Sequence, residues 1–126
     1  MDSFTDLEAW KTGIELTKEV YALTKKLPKE EQYGLCSQVR RAVTSILANL
    51  AEGFSRSSAA DKAHKYTISR GECAEVKAHL LICVALGYFT QEDIQTALAL
   101  ADKTGQLLSG LIRAYSSTHT PLPSEP

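Results

Sequence analysis

The chain has 126 residues, of which 44% are hydrophobic, with 14 Lys and Arg against 15 Asp and Glu. That length suits a single domain able to bury a sizeable core, and a formal net charge of -1 gives no global attraction to nucleic acid. Three cysteines, Cys36, Cys73 and Cys83, with no CxxC pair, argue against a disulfide framework or a zinc site and for reduced, buried thiols in a cytoplasmic protein.

The N-terminus "MDSFTDLEAW" begins acidic and lacks the basic-then-apolar order of a signal peptide. "TDLE" reads as the start of the first helix, with Thr5 as cap and Glu8 closing a capping box. Its apolar face is Leu7, Trp10, Ile14 and Tyr21, widened by Leu16, Val20, Leu23 and Leu27. "LPKEEQYG" ends it, because Pro28 disfavours helix at Leu27 and Gly34 loosens the backbone before the next helix. A second helix is predicted from about Leu35 to Phe54. A third spans about 59–86, with Ser58 and Asp61 as its capping pair and Gly87 as its C-terminal stop. "TQED" at 90–93 opens a fourth, carried by Ile94, Ala97, Leu98, Ala101, Leu108, Leu111, Ile112 and Tyr115. The tail "SSTHTPLPSEP", residues 116–126, has three prolines and little to bury, so it reads as disordered. The expected fold is all-α: an up-down-up-down four-helix bundle over residues 1–115, with the tail beyond it.

Two segments look too apolar for a monomeric bundle. On the second helix Leu35, Val39, Ala42, Val43, Ile46, Leu47, Leu50, Ala51 and Phe54 cover about half the circumference, where a stripe somewhat wider than 100° suffices. "LLICVALGYF" at 80–89 surrounds the third helix with apolar residues yet is about half the length of a membrane span. Surplus apolar surface in a small chain points to self-association.

Catalytic and metal motifs are sparse. A di-iron bundle needs Glu-x-x-His on two helices, and the chain has no such motif. Glu75, His79 and Cys83 follow one another at intervals of four on the third helix, a weak trio of potential ligands. There is no Walker loop, GxSxG or GxGxxG. The expectation is a non-enzyme with no cofactor, no bound metal and no membrane contact.

Charge is uneven along the chain. Residues 36–80 hold 7 Lys and Arg against 4 Asp and Glu, a local +3. Within them, Lys62, Tyr66 and Arg70 fall at i, i+4 and i+8 on the third helix, with Arg56 and Lys65 nearby. Basic groups flanking an aromatic suit phosphate contacts with a base stacked on the ring. These five residues form the candidate nucleic-acid surface; the bland alternative makes Tyr66 a core residue with solvated charges around it. A second pattern runs along the second helix, where Gln38, Arg41, Ser45, Asn49, Glu52 and Arg56 share one stripe. Its side chains suit directional hydrogen bonds, so it reads as a seam between helices or subunits, with a solvated face as the alternative. Asn49 and Glu52 are expected to be buried partners in it. Arg40 sits on the far edge of the apolar arc, where it is expected to lie over a neighbouring chain.

The combination "LPKEEQYGL", Gln38, Arg40-Arg41, Ser45-Ile46, "NLAEG" at 49–53, Arg56, and Arg70-Gly71 with Glu75 downstream resembles the four-helix bundle proteins of the 23S rRNA intervening-sequence type, also called S23-like, over about residues 4–115. Leu47 departs from that family's frequent Pro, which implies a straighter second helix. The resemblance implies a cytosolic, bacterial, non-catalytic homopentameric ring. Some members are encoded inside insertions in 23S rRNA genes, and a related, more basic branch binds nucleic acid and a reverse transcriptase. Two functions are therefore expected: an oligomeric adaptor for RNA or a nucleic-acid-associated protein, or a structural, protein-interaction ring with no nucleic-acid contact.

Overall fold

The computed structural model describes residues 2–116. Its four helices are α1 (Glu8–Thr24), α2 (Leu35–Ser55), α3 (Ala59–Ala85) and α4 (Gln91–Ser116). The C-terminal tail lies, from residue 117, outside the described residues. Each helix packs on its neighbours in chain order, and α1 closes the bundle against α4; the diagonal pairs make no backbone contact among the described residues. This is the up-down-up-down bundle that short connections between long amphipathic helices dictate.

The caps explain where the helices start. Ser58 Oγ accepts from the Asp61 N–H at 3.0 Å. Thr90 and Asp93 form a reciprocal box, with Thr90 N–H donating to Asp93 Oδ2 at 2.8 Å and Asp93 N–H donating to Thr90 Oγ1 at 3.1 Å. Gly87, at φ +83°, takes the left-handed conformation that ends α3. The first cap differs from expectation. The box forms between Ser3 and Asp6 around a short 3-10 turn, Phe4–Asp6, while Leu7 turns extended before α1 begins. Thr5 Oγ1 donates to Ser3 Oγ instead of capping, and Glu8 pairs with Lys11. Ser3 prevails because it sits one turn before an acidic partner of its own.

The core is built from Leu16 and Val20 of α1, Val39, Val43, Ile46 and Leu50 of α2, Val76 and Leu80 of α3, and Ile94 and Leu108 of α4, all with no solvent exposure. Six of the nine residues in the broad apolar arc of α2 are buried here and Leu35, Ala51 and Phe54 are half-buried, so little of the expected surplus surface remains on that helix. Because α2 touches α1 on one flank and α3 on the other, it needs an arc wide enough for two neighbours. The expectation for α3 stands differently: Leu81, Ile82 and Leu86 are 44, 43 and 58% exposed.

Besides Gly13, whose Cβ would lie 2.8 Å from Leu47 Cδ2, two glycines have a steric reason at helix junctions. A Cβ on Gly53 would lie 2.7 Å from the Tyr66 ring, so its absence lets α3 close onto the end of α2. A Cβ on Gly34 would lie 2.7 Å from Glu31 Oε1, the oxygen that accepts from the Leu35 N–H at the start of α2. Among the described residues no helix is long and apolar enough to cross a membrane.

Candidate functional site

The polar stripe of α2 runs along the α2–α3 contact. Arg41 pairs with Glu75 and stands 3.6 Å from Glu72 Oε1, both on α3. His79 Nε2 meets Glu75 Oε2 at 3.1 Å. One guanidinium thus faces two carboxylates, and their protonation chemistry separates. Burial, reinforced by the adjacent Glu75, pushes the Glu72 carboxyl above its usual range, against the pull of Arg41 and Ser45. Glu75, hydrogen-bonded to Arg41 and to His79, is held below its usual range despite some desolvation. The two carboxylates raise the Arg41 guanidinium further. Glu72 was not legible as a member of this cluster, because its partner lies 31 positions away on another helix.

Farther along the stripe, Asn49 Nδ2 donates to Ser45 O at 2.9 Å and to Ser45 Oγ at 3.1 Å, both one turn earlier on its own helix. Glu52, 53% exposed, pairs with Lys65 at 2.8 Å and reaches Arg56 at 3.9 Å, which lowers its carboxyl. The expected pairing of Asn49 with Glu52 is therefore corrected: each satisfies itself elsewhere, and Glu52 is not buried. Gln38 is exposed at the head of the stripe. Arg40 is corrected as well. Its Nε donates to Thr24 Oγ1 at 2.8 Å, and its guanidinium lies 4.3 Å over the Tyr21 ring, clamping α2 to the end of α1 in the same chain.

The candidate nucleic-acid surface is largely engaged in internal contacts. Tyr66 is 1% exposed and packs 5.9 Å from the Tyr115 ring; burial pushes its phenol up to about 12. A ring closed in on this scale has no face left for a base, so Tyr66 is withdrawn as a stacking residue. Lys62 Nζ donates to Phe54 O at 2.6 Å and to Gly53 O at 3.4 Å. It takes up the Phe54 carbonyl at the end of α2 and adds to the Arg56 N–H on that of Gly53, where a cation also complements the helix dipole. Lys65 is tied to Glu52. Arg56 and Arg70 are exposed; Arg70 Nη1 donates to Ser109 Oγ at 3.2 Å.

The trio on α3 does not converge either. Glu75 and His79 meet, while Cys83 is 1% exposed within the core. Among the described residues no group of three or more His, Cys, Asp and Glu is placed to hold a metal ion. An open groove of about 260 Å³ between α3 and α4 is floored by Ala74, Ala101 and Gly105. Its charged lining is engaged internally, Lys77 with Asp102 and Arg70 with Ser109.

A different surface stands out. At about 100° per residue, Gly71, Ala74, Ala78, Leu81, Ile82 and Ala85 share the outer face of α3; all six are exposed, and none is charged. Of the bordering charges, Glu75 pairs with Arg41 on one side and Lys77 with Asp102 on the other, while exposed Arg70 bonds to Ser109.

These features define an all-helical bundle whose polar residues knit its own helices together and whose third helix presents a bare apolar face. The chain belongs to the family described as 23S rRNA-intervening sequence protein, whose model matches residues 5–110. Its fold is shared with a solved structure from Bacteroides thetaiotaomicron VPI-5482, titled a protein with unknown function from the S23 ribosomal protein family. That likeness has a TM-score of 0.76 at 24% identity and covers 83% of this chain and 98% of that one. No functionally curated protein matches the sequence. Neither the family description nor the structural neighbour names an enzymatic activity.

Proposed function

We propose that this protein is a non-enzymatic, cytoplasmic, bacterial building block that assembles with copies of itself into a closed ring, five-membered as its family resemblance implies, and acts through protein surfaces. The observation that supports this is the uncharged outer face of α3, with Leu81, Ile82 and Leu86 exposed and the nearest flanking charges, Glu75 and Lys77, already paired. Contiguous exposed apolar surface of this kind marks an interaction site. A second copy suits it better than a charged partner does, because the paired borders leave little field to attract one. Light scattering at micromolar concentration is expected to give about five times 13.8 kDa. Ile82→Asp combined with Leu86→Asp is expected to yield a folded monomer, since both side chains are outside the core. A wild-type monomer at high concentration would refute the assembly.

A second reading, contact with RNA or an RNA-associated protein, draws on the family description and on exposed Arg56 and Arg70 at the α2–α3 junction. If it holds, RNA retention should fall linearly with salt on a log–log plot. Arg56→Glu with Arg70→Glu should abolish retention and leave assembly intact. Absence of retention at low salt would leave protein surfaces alone.

A further inference from the structure

Several cations that line recesses in this bundle are already engaged. Lys77 pairs with Asp102, Lys65 with Glu52, and Arg70 bonds to Ser109. The recess where α1 gives way to α2 is different. It holds about 250 Å³ and is walled by the end of α1, the loop through Gln32 and the first turns of α2. Its charged lining residues are Lys25, Lys29 and Arg40, one from each wall, and among the described residues no Asp or Glu lines it. Both lysines are exposed, and neither ammonium has a hydrogen-bond or ion-pair partner among the described residues.

Arg40 is fixed in place. Its Nε donates to Thr24 Oγ1 at 2.8 Å, its Nη2 reaches Tyr21 O at 3.5 Å, and its guanidinium lies over the Tyr21 ring. Its Nη1 has no partner among the described residues. A guanidinium braced in this way keeps its remaining donors on a rigid fork, which lowers the cost of ordering them around a ligand.

The local charge favours an anion. Residues 24–40 carry Lys25, Lys26, Lys29 and Arg40 against Glu30 and Glu31. Glu31 is occupied by the Leu35 N–H and the Tyr88 hydroxyl, and Glu30 lies outside the lining. The C-terminal end of α1 opposes an anion with about half a negative charge, which three cations outweigh. Positive groups on three walls suit a dianion better than a single carboxylate, which one arginine would satisfy. A phosphate monoester carries a charge of about −1.5 to −2 at pH 7 and presents three acceptor oxygens.

We propose that the recess between α1 and α2 binds the dianionic head of a small phosphate monoester or of free phosphate, held by Arg40, Lys25 and Lys29.

Cys36 supplies the readout. It lines the same recess and is half-buried, whereas Cys73 and Cys83 are 3 and 1% exposed in the core. The full wild-type chain is alkylated with neutral iodoacetamide at constant ionic strength, and labelling of Cys36 is followed by mass spectrometry. Millimolar inorganic phosphate is expected to slow labelling several-fold, and the dicarboxylate malonate much less. Lys25→Gln combined with Lys29→Gln, both outside the core, is expected to lose that protection with unchanged helical circular dichroism. The same pair should lower the ratio of iodoacetate to iodoacetamide rates about three- to tenfold in dilute salt, because both reagents attack one thiolate and only iodoacetate is charged. Phosphorus NMR lines of the phosphate, broadened by wild type and not by the double variant, give a second readout independent of the thiol. Phenyl phosphate protecting better than inorganic phosphate would assign an ester as the ligand; equal protection would assign the free ion. Absence of both protection and broadening would overturn the site, even with a lowered rate ratio, since a positive surface alone would explain that. Protection that survives in the double variant, or malonate protecting as well as phosphate, would overturn it too.

Discussion

Tyr66→Ala is expected to cost about 3–5 kcal/mol, the range for deleting a large buried aromatic. Against a typical domain stability of about 5–15 kcal/mol, that is enough to leave much of the protein unfolded on modest warming. The argument is geometric. Tyr66 is 1% exposed, its ring lies against Tyr115, and Gly53 has been left without a side chain to admit it. Removing the ring opens a cavity at the α2–α3 contact that Gly53 cannot fill. Tyr66→Phe preserves the ring and should lie within about 1.5 kcal/mol of wild type. Urea denaturation of the three proteins at equal concentration, since assembly contributes to apparent stability, separates these outcomes. If Tyr66→Ala were as stable as wild type, the ring would have to be free, and its place in a nucleic-acid surface would reopen.

This residue shows where local sequence pattern reaches its limit. Lys62, Tyr66 and Arg70 do fall at helical spacing, and the spacing correctly places them on neighbouring turns of α3. Their orientation depends on α2, whose end carries a glycine that admits the ring and carbonyls at Gly53 and Phe54 that draw Lys62 across. Arg40 obeys the same logic: its position on the helix was legible, but the Thr24 hydroxyl and Tyr21 ring that capture it belong to α1.

Features decided within one turn were legible directly. Ser58, Gly87 and the Thr90–Asp93 pair mark helix ends through groups at most a few residues apart. Thr5 misled because two hydroxyls compete within three residues, and the choice between them turns on which acidic side chain can reach back. The apolar arc of α2 was legible as a pattern but not as a consequence, since periodicity measures the width of a face and not the number of helices that cover it. Glu31 carries no helical pattern at all, and its bond from the Tyr88 hydroxyl spans 57 positions.

The charged cluster on the α2–α3 seam should reveal itself in the pH dependence of stability once its cation is removed. Glu72 is raised in the folded state, so it binds its proton more tightly there than in the unfolded chain. Its contribution therefore falls as pH rises from its unfolded value near 4.5 through its raised folded value. Glu75 is lowered, so it stabilises above the unfolded value and loses that effect as pH falls through its folded value. In the wild type these tendencies oppose each other: Arg41 limits the rise of Glu72 and is the main cause of the lowering of Glu75. Arg41→Met leaves two neighbouring carboxylates without their guanidinium, one of them with a side chain only 17% exposed. The expected cost at pH 7 is about 1–3 kcal/mol, the penalty for stranding a largely buried polar group. Stability of the variant relative to wild type should then recover as pH falls, because Glu72 takes up a proton and the repulsion with Glu75 is relieved. Adding Glu72→Gln to Arg41→Met should restore most of the loss at pH 7 and flatten that recovery. Denaturation midpoints at pH 7, 6 and 5 measure the slope directly. A variant whose stability declines in parallel with the wild type across that range would show that Glu72 is ionised freely in the folded protein and that the seam is ordinary solvated surface.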